Sequence, residues 1–298
     1  MVDPFVQLSQ SIPFHRCITY TSSKALADVM EGIEETRPEG EYVIFADVDS
    51  SDLHSIDIAL GQRALRKHAR FTYEDGLRAL IIRLMPGPGH ELTSRGFSYE
   101  IMKHVDALPG QAPRSLINMG ATTFHVPGQR SKEADEAFFP RTRQRGEFPS
   151  VVIEVLFTHI IPSTERDRFE VAYIWRVQVG LSESLHRLRM DAQWWLINSN
   201  GTVKMVIIIR LQRNPHSIRI EQWEMVTSRP ITRHNSTGMH PASTSIFEID
   251  QHGIATPANV PLTIPYLTMF DQPRVGAADI VITSQELSAV ALCVFQLC

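Results

Sequence analysis

The stretch from residue 203 to residue 211 constrains the fold more than any other part of the chain. It has the sequence Val-Lys-Met-Val-Ile-Ile-Ile-Arg-Leu, and an almost continuous apolar run is typical of a central strand that is covered on both faces. Upstream, the apolar residues Leu185, Leu188, Ala192 and Leu196 recur at helical spacing. A second β-branched run lies at residues 149–155. The sequence therefore predicts a strand, a helix and a second strand as the centre of an α/β domain.

Two acidic residues belong to this central region. Glu154 lies in the buried-looking run Val-Val-Ile-Glu-Val, and Asp135 lies in the segment Lys-Glu-Ala-Asp-Glu, which we predict to be the preceding strand. A carboxylate inside an apolar strand is costly unless it is paired, hydrogen-bonded or bound to a metal. The two positions are therefore the first candidates for a functional site.

Composition limits the broad class of the protein. The chain has 298 residues, 43% of them hydrophobic, and a formal net charge of -4, so it suits a globular protein but gives no global electrostatic case for nucleic-acid binding. A basic cluster at Arg63, Arg66 and Lys67 is interpreted as a solvated helix face. Three cysteines, no signal peptide and no membrane-spanning run favour an intracellular location, in the nucleus or the cytoplasm.

The chain divides into three parts by its pattern. Residues 1–70 are predicted to be an extension with a helix and a strand. Residues 71–226 form the core, which is predicted to start with a hairpin at residues 71–84. Residues 227–298 form a loop-rich extension in which one short strand is predicted at residues 246–249. A final helix closes it after the capping box Thr283-Ser284-Gln285-Glu286.

The order of elements from residue 90 to residue 211 is predicted as helix, three strands, helix and strand. The first of the three strands is predicted at residues 115–124, and the second and third carry the acidic residues. This order resembles the restriction-endonuclease-like PD-(D/E)XK superfamily. The segments Ser131–Pro140, Phe148–Val155 and Gly180–Ser184, with Leu188 and Asp191, resemble a group of fungal proteins similar to bacterial restriction endonucleases. The expected fold is a mixed sheet flanked by helices, with extensions at both ends.

The resemblance implies metal-assisted hydrolysis of a phosphodiester in DNA or RNA. Asp135 and Glu154 would hold Mg²⁺ or Mn²⁺, hard cations that prefer oxygen ligands, and Glu91 would be the additional acid that some members carry on the first helix. The alternative for Glu91 is that it stabilises the first turn of that helix by interacting with the helix dipole. The motif lysine that orients the nucleophile is replaced by Leu156. Some members carry this lysine on a nearby element; the available cations are Lys132, Arg187 and Arg189, and Lys132 is the candidate catalytic residue.

Two hypotheses follow from the missing lysine. The first is a metal-dependent nuclease. The second is a catalytically dead nuclease-fold module that binds nucleic acid or protein. Leu156 can neither donate a hydrogen bond to an attacking water nor stabilise negative charge.

Residues 155–178 interrupt the resemblance. Removing these 24 residues would join Ile153-Glu154 to Val179-Gly180-Leu181-Ser182, the join that the resembling proteins show. We predict an insertion, in origin a translated intron, which is poorly packed or bulges from the sheet; the alternative is a genuine lid.

Overall fold

The computed structural model describes residues 6, 9, 12, 16–35, 42–84, 87–112, 114–126, 130–144, 146–158, 172–227, 238–274 and 276–297. Helices flank two large sheets in this part of the chain. The mixed α/β class predicted from the sequence is confirmed.

The first sheet is built mainly from the N-terminal part of the chain. Its strand order is β1-β2-β4-β3-β7-β6. The strands are β1 (Cys17–Thr19), β2 (Tyr42–Ala46), β3 (Ala69–Glu74), β4 (Ala79–Leu84), β6 (Thr123–Val126) and β7 (Arg130–Glu133). Helices α1 (Ser23–Glu35) and α2 (Leu53–Gln62) pack on its outer face. The predicted boundary at residue 70 falls inside β3, so the N-terminal residues and the start of the predicted core share this sheet.

The second sheet contains the central strands. Its strand order is β13-β12-β11-β10-β9-β8-β5. The strands are β5 (Leu116–Asn118), β8 (Glu136–Pro140), β9 (Val151–Thr158), β10 (Met205–Arg213), β11 (His216–Thr227), β12 (Met239–Ile249) and β13 (Ala255–Thr256). Strands β9 and β10 are parallel, and the other paired neighbours are antiparallel. The parallel pair requires a crossover, which α4 (Ala172–Asn198) provides.

Helix α4 packs on one face of the second sheet. The other face is covered by α3 (Gly87–Asp106), α5 (Tyr266–Phe270), α6 (Ser284–Leu297) and a small sheet of β14 (Leu262–Ile264) and β15 (Ile280–Ile282). The predicted capping box starts α6, because the backbone N–H of Glu286 donates to Thr283 Oγ1 at 3.2 Å and that of Thr283 donates to Glu286 Oε2 at 2.9 Å. None of the helices in the described residues combines the length and apolar character needed to cross a bilayer.

The period of two along β9 decides which side chains face which layer. Ile153 and Val155 pack with Phe97 of α3. Val152 and Leu156 point to the other face, where they pack with Trp195 of α4 and with the inner face of the first sheet. Glu154 shares this second direction, so its carboxylate lies between the two sheets and beside α4.

Three predicted elements differ from the structure. The single strand expected at residues 115–124 is two short strands, β5 and β6, in different sheets. Asp135 lies between β7 and β8 rather than within one strand, because the chain changes sheets there. The short strand expected at residues 246–249 is the C-terminal end of a longer strand, β12, which pairs with β11 along most of its length.

The start of the predicted insertion also differs. Val155 to Thr158 continue β9 in register opposite Ile209 to Gln212, and Val155 and Leu156 are buried. The expected bulge is therefore wrong for these residues. Residues 159–171 of the predicted insertion lie outside the described residues, and residues 172–178 form the backbone of the first turns of α4. The proposed origin of the segment as an intron stays a prediction.

Candidate functional site

Asp135 and Glu154 meet where the chain passes from the first sheet to the second. Antiparallel pairing sets Glu136 opposite Ile153, and this register places the preceding residue, Asp135, beside Glu154. Asp135 Oδ2 accepts a hydrogen bond from the backbone N–H of Val155 at 2.8 Å. Both carboxylates are buried. The structure thus brings together the two acids singled out from the sequence.

The guanidinium of Arg83 lies between these two carboxylates. Its Nη2 donates to Asp135 Oδ2 at 2.8 Å and to Glu154 Oε2 at 2.6 Å, while Nη1 lies 3.4 Å from Asp191 Oδ2. The Arg83 side chain is only 4% exposed. A single buried cation on β4 therefore contacts three acidic side chains from the junction, β9 and α4.

Arg83 has a second arginine directly opposite it. The register of the β3–β4 hairpin pairs Arg70 with Arg83, and like charges at such positions are destabilising. Asp135 relieves this repulsion, since its Oδ1 lies 3.2 Å from Arg70 Nε and its Oδ2 contacts Arg83. His90, at the start of α3, approaches the same carboxylate with Nε2 at 3.3 Å.

Asp191 of α4 extends the network on the other side. Its Oδ1 accepts from Lys132 Nζ at 2.6 Å, and its Oδ2 accepts from the Tyr42 hydroxyl at 2.9 Å. Lys132 also donates to Thr72 Oγ1 at 3.1 Å. We call the six residues Arg70, Arg83, Lys132, Asp135, Glu154 and Asp191 the buried charge cluster. Its formal charge is zero when every member is ionised.

Burial and pairing move the two central carboxyl groups in opposite directions. Burial raises the pKa of Glu154 to about 7, against the attraction of Arg83 and with the help of the neighbouring Asp135 carboxylate. Burial also acts to raise the pKa of Asp135, but the positive charges of Arg83, His90 and Arg70 outweigh it and lower that pKa below its usual range. The second oxygen of Glu154 accepts from Trp195 Nε1 at 2.6 Å. Asp135 is thus the permanent anion of the pair, and Glu154 is the group that can hold a proton near neutral pH.

The other two predicted site residues have different positions. Lys132 belongs to the buried charge cluster, but its hydrogen bonds go to Asp191 and Thr72. Glu91 is exposed at the start of α3, where its carboxylate lies 3.8 Å from Arg95 and 4.0 Å from His90 Nδ1. The imidazole of His90 lies between Glu91 and Asp135, so Glu91 does not join the carboxylate pair.

The donor set does not fit the Mg²⁺ or Mn²⁺ site that the resemblance implies. The carboxylate oxygens that would face a shared ion accept hydrogen bonds from Arg83. Leu156, at the position of the motif lysine, packs in the apolar core beside Trp195. A divalent ion between Asp135 and Glu154 would have to displace the buried guanidinium from both carboxylates, leaving its 3.4 Å contact with Asp191 in place of two shorter ion pairs.

The described residues contain one group of three side chains close enough to share a metal ion, at Glu100, His104 and Glu286. The Lys103 ammonium contacts both carboxylates, with Glu286 Oε1 at 2.9 Å. Because this lysine already compensates the acidic charge, we interpret the group as the polar contact that holds α6 against α3.

Comparison with known proteins gives no relative. No protein-family model, curated protein or solved structure matches the chain.

Proposed function

We propose that this chain is a non-catalytic member of the PD-(D/E)XK superfamily that binds nucleic acid. The observation that carries the proposal is Arg83, whose guanidinium lies between Asp135 and Glu154. It supplies the positive charge that a divalent ion supplies in the resembling nucleases. In this interpretation the carboxylate pair has become part of the core.

The topology supports the superfamily assignment. Among the elements of the second sheet, α3 is followed by β5, β8 and β9, which pair antiparallel, and then by α4 and β10, which is parallel to β9. Strands β6 and β7, which lie between β5 and β8 in the chain, belong to the first sheet. Within the second sheet, this order is consistent with the helix, three strands, helix and strand that the resemblance implies. Glu154 lies on the third of these strands, β9, as the resemblance expects, whereas Asp135 directly precedes the second, β8, instead of lying on it.

The physical cost of restoring a metal argues against catalysis. Breaking a buried ion pair by removing one partner costs about 3–5 kcal/mol, and a metal at this position would break two ion pairs of Arg83 at once. No lysine occupies the motif position, and Lys132 is committed to Asp191. A binding role is favoured by the cationic side chains Arg66, Lys67 and Arg95, which line a cleft beside the cluster.

A paired cleavage and binding assay tests the proposal. Supercoiled DNA is incubated with the wild-type protein or the Asp135→Ala variant in Mg²⁺ and in Mn²⁺, and binding of labelled DNA and RNA is measured by fluorescence anisotropy without metal. We expect no nicking by either protein and salt-dependent binding by the wild type. Nicking that the Asp135→Ala variant loses would establish the competing nuclease hypothesis and overturn ours.

A further inference from the structure

An open cleft of about 560 Å³ lies beside the buried charge cluster. It lies between the end of α2, the start of β3, the first turns of α3 and the end of β7. Its lining residues are Gly61, Ala64, Arg66, Lys67, Arg70, Glu91, Arg95, Ala121 and Glu133. Four of them are cationic and two are acidic, so the formal charge of the lining is positive. The remaining three are glycine or alanine, which leave room for a ligand.

Two of the cations are fixed by the protein. Arg66 donates to Glu133 Oε2 at 2.9 Å and to the Ala69 carbonyl at 2.9 Å, and its guanidinium lies 4.4 Å from the centre of the Phe71 ring. Arg70 forms its ion pair with Asp135 on the inner side of the cleft. These two arginines contribute positive potential, but existing contacts hold their positions.

The other two cations are available to a ligand. Lys67 is exposed, and its ammonium has no ion-pair partner within the part of the chain that the structure describes. Arg95 is 64% exposed, and its contacts are long, at 3.8 Å to Glu91 and 3.3 Å to Glu136. Both side chains can therefore reach a ligand without breaking a close hydrogen bond.

We propose that this cleft binds a phosphate group, with Lys67 and Arg95 as its direct ligands and with Arg66 and Arg70 as a fixed cationic background. If the bound phosphate is part of a nucleic acid, this proposal rests on the proposed function of nucleic-acid binding. A small, strongly charged group suits a cleft without aromatic or large aliphatic walls. The rigid fork of an arginine and the mobile ammonium of a lysine are common partners of phosphate oxygens.

Nucleic-acid binding by the double variant Lys67→Ala/Arg95→Ala tests the assignment. Because both residues are exposed, this variant should fold like the wild type, which circular dichroism checks. The matched control is Lys24→Ala/Lys204→Ala, which removes two exposed lysines that do not line the cleft. We expect the cleft variant to lose roughly tenfold or more in affinity for a labelled oligonucleotide, and the slope of log affinity against log salt to fall by about 1 per cation removed. The control should bind like the wild type.

A second arm uses inorganic phosphate and separates the two proposals. Phosphate should raise the melting temperature of the wild type and leave that of the cleft variant unchanged, because a ligand that binds only the native state stabilises it by mass action. If the wild type binds no oligonucleotide but phosphate still stabilises it through Lys67 and Arg95, the proposed function fails and the phosphate site stands. If the cleft variant binds the oligonucleotide with unchanged affinity and salt slope, the phosphate site is wrong and the proposed function stands.

Discussion

Replacing Arg83 by methionine should destabilise the protein by an amount that depends on pH. The substitution keeps an unbranched side chain but removes a buried cation that contacts Asp135, Glu154 and Asp191. The cluster then carries a formal charge of -1 instead of zero if every remaining member is ionised. The expected loss is about 3–5 kcal/mol at pH 8, the cost of breaking a buried ion pair.

The pH dependence follows from Glu154. Its pKa of about 7 in the native protein must rise further when Arg83 is removed, since Arg83 favours the charged form. Above pH 7 the native wild type therefore loses this proton, the native variant keeps it, and both unfolded chains have already lost it. In this pH range the unfolded variant binds fewer protons than the native variant. The free energy of unfolding of the variant therefore falls as pH rises, by about 1.4 kcal/mol per pH unit. The loss caused by Arg83→Met should be larger at pH 8.5 than at pH 6.

Urea denaturation followed by tryptophan fluorescence measures both stabilities, because Trp195 contacts Glu154 within the cluster. The matched control adds Glu154→Gln, which leaves no carboxyl group to titrate at position 154. In that background the stability loss caused by Arg83→Met should be the same at pH 6 and at pH 8.5. For Arg83→Met in the wild-type background, a loss that is the same at both pH values, or below about 0.5 kcal/mol, the usual range of a neutral surface substitution, would refute the reasoning.

Three further predictions concern the same cluster. Glu154→Gln should abolish a decline in stability of about 3 kcal/mol between pH 4.5 and pH 7, where the native carboxyl keeps a proton that the unfolded chain has lost, as measured by denaturation across that range. Trp195→Phe removes the indole N–H bound to Glu154 Oε1 and should cost about 1–3 kcal/mol in urea denaturation followed by circular dichroism; an unchanged stability would show that this hydrogen bond is unimportant. Leu156→Lys restores the motif lysine but leaves Arg83 in position, so it should produce no Mg²⁺-dependent nicking of plasmid DNA, and any nicking would contradict the account.

The sequence predicted the central elements because their apolar pattern is strong. The run at residues 203–211 became β10, and the helical stripe from Leu185 to Leu196 became the C-terminal part of α4. Both are held by the apolar cores on the two faces of the second sheet. Cost of burial also identified Glu154, since a lone carboxylate in such a strand requires a partner.

The partner itself was not predicted, because the covering layer comes from a distant part of the chain. In β4 the apolar residues Leu80, Ile82 and Leu84 form one face, and Arg83 lies on the other face, where its partners come from β9, α4 and the β7–β8 junction. The hairpin predicted at residues 71–84 does indicate that Arg83 needs an acidic partner. In the structure its first strand starts earlier, at Ala69, and its register sets Arg70 opposite Arg83. Two arginines facing each other on a strand pair indicate an acidic partner nearby.

The partners of the basic cluster at Arg63, Arg66 and Lys67 were likewise not predictable from the sequence. The cluster was interpreted as one solvated face, but the three residues have different roles. Arg63 pairs with Asp28 and Glu31 on the surface, Arg66 is fixed by Glu133, and Lys67 faces the cleft. Sequence spacing alone cannot separate these roles, because they depend on which side chains of β7 and α1 lie nearby.

The central claim is that Arg83, and not a metal ion, neutralises the Asp135–Glu154 pair. A crystal structure of the protein grown in millimolar Mn²⁺, with anomalous scattering recorded at the manganese absorption edge, tests it most directly. The account predicts no anomalous peak between the two carboxylates and an Arg83 guanidinium within hydrogen-bonding distance of both. A manganese ion coordinated by Asp135 and Glu154, with Arg83 displaced, would contradict it.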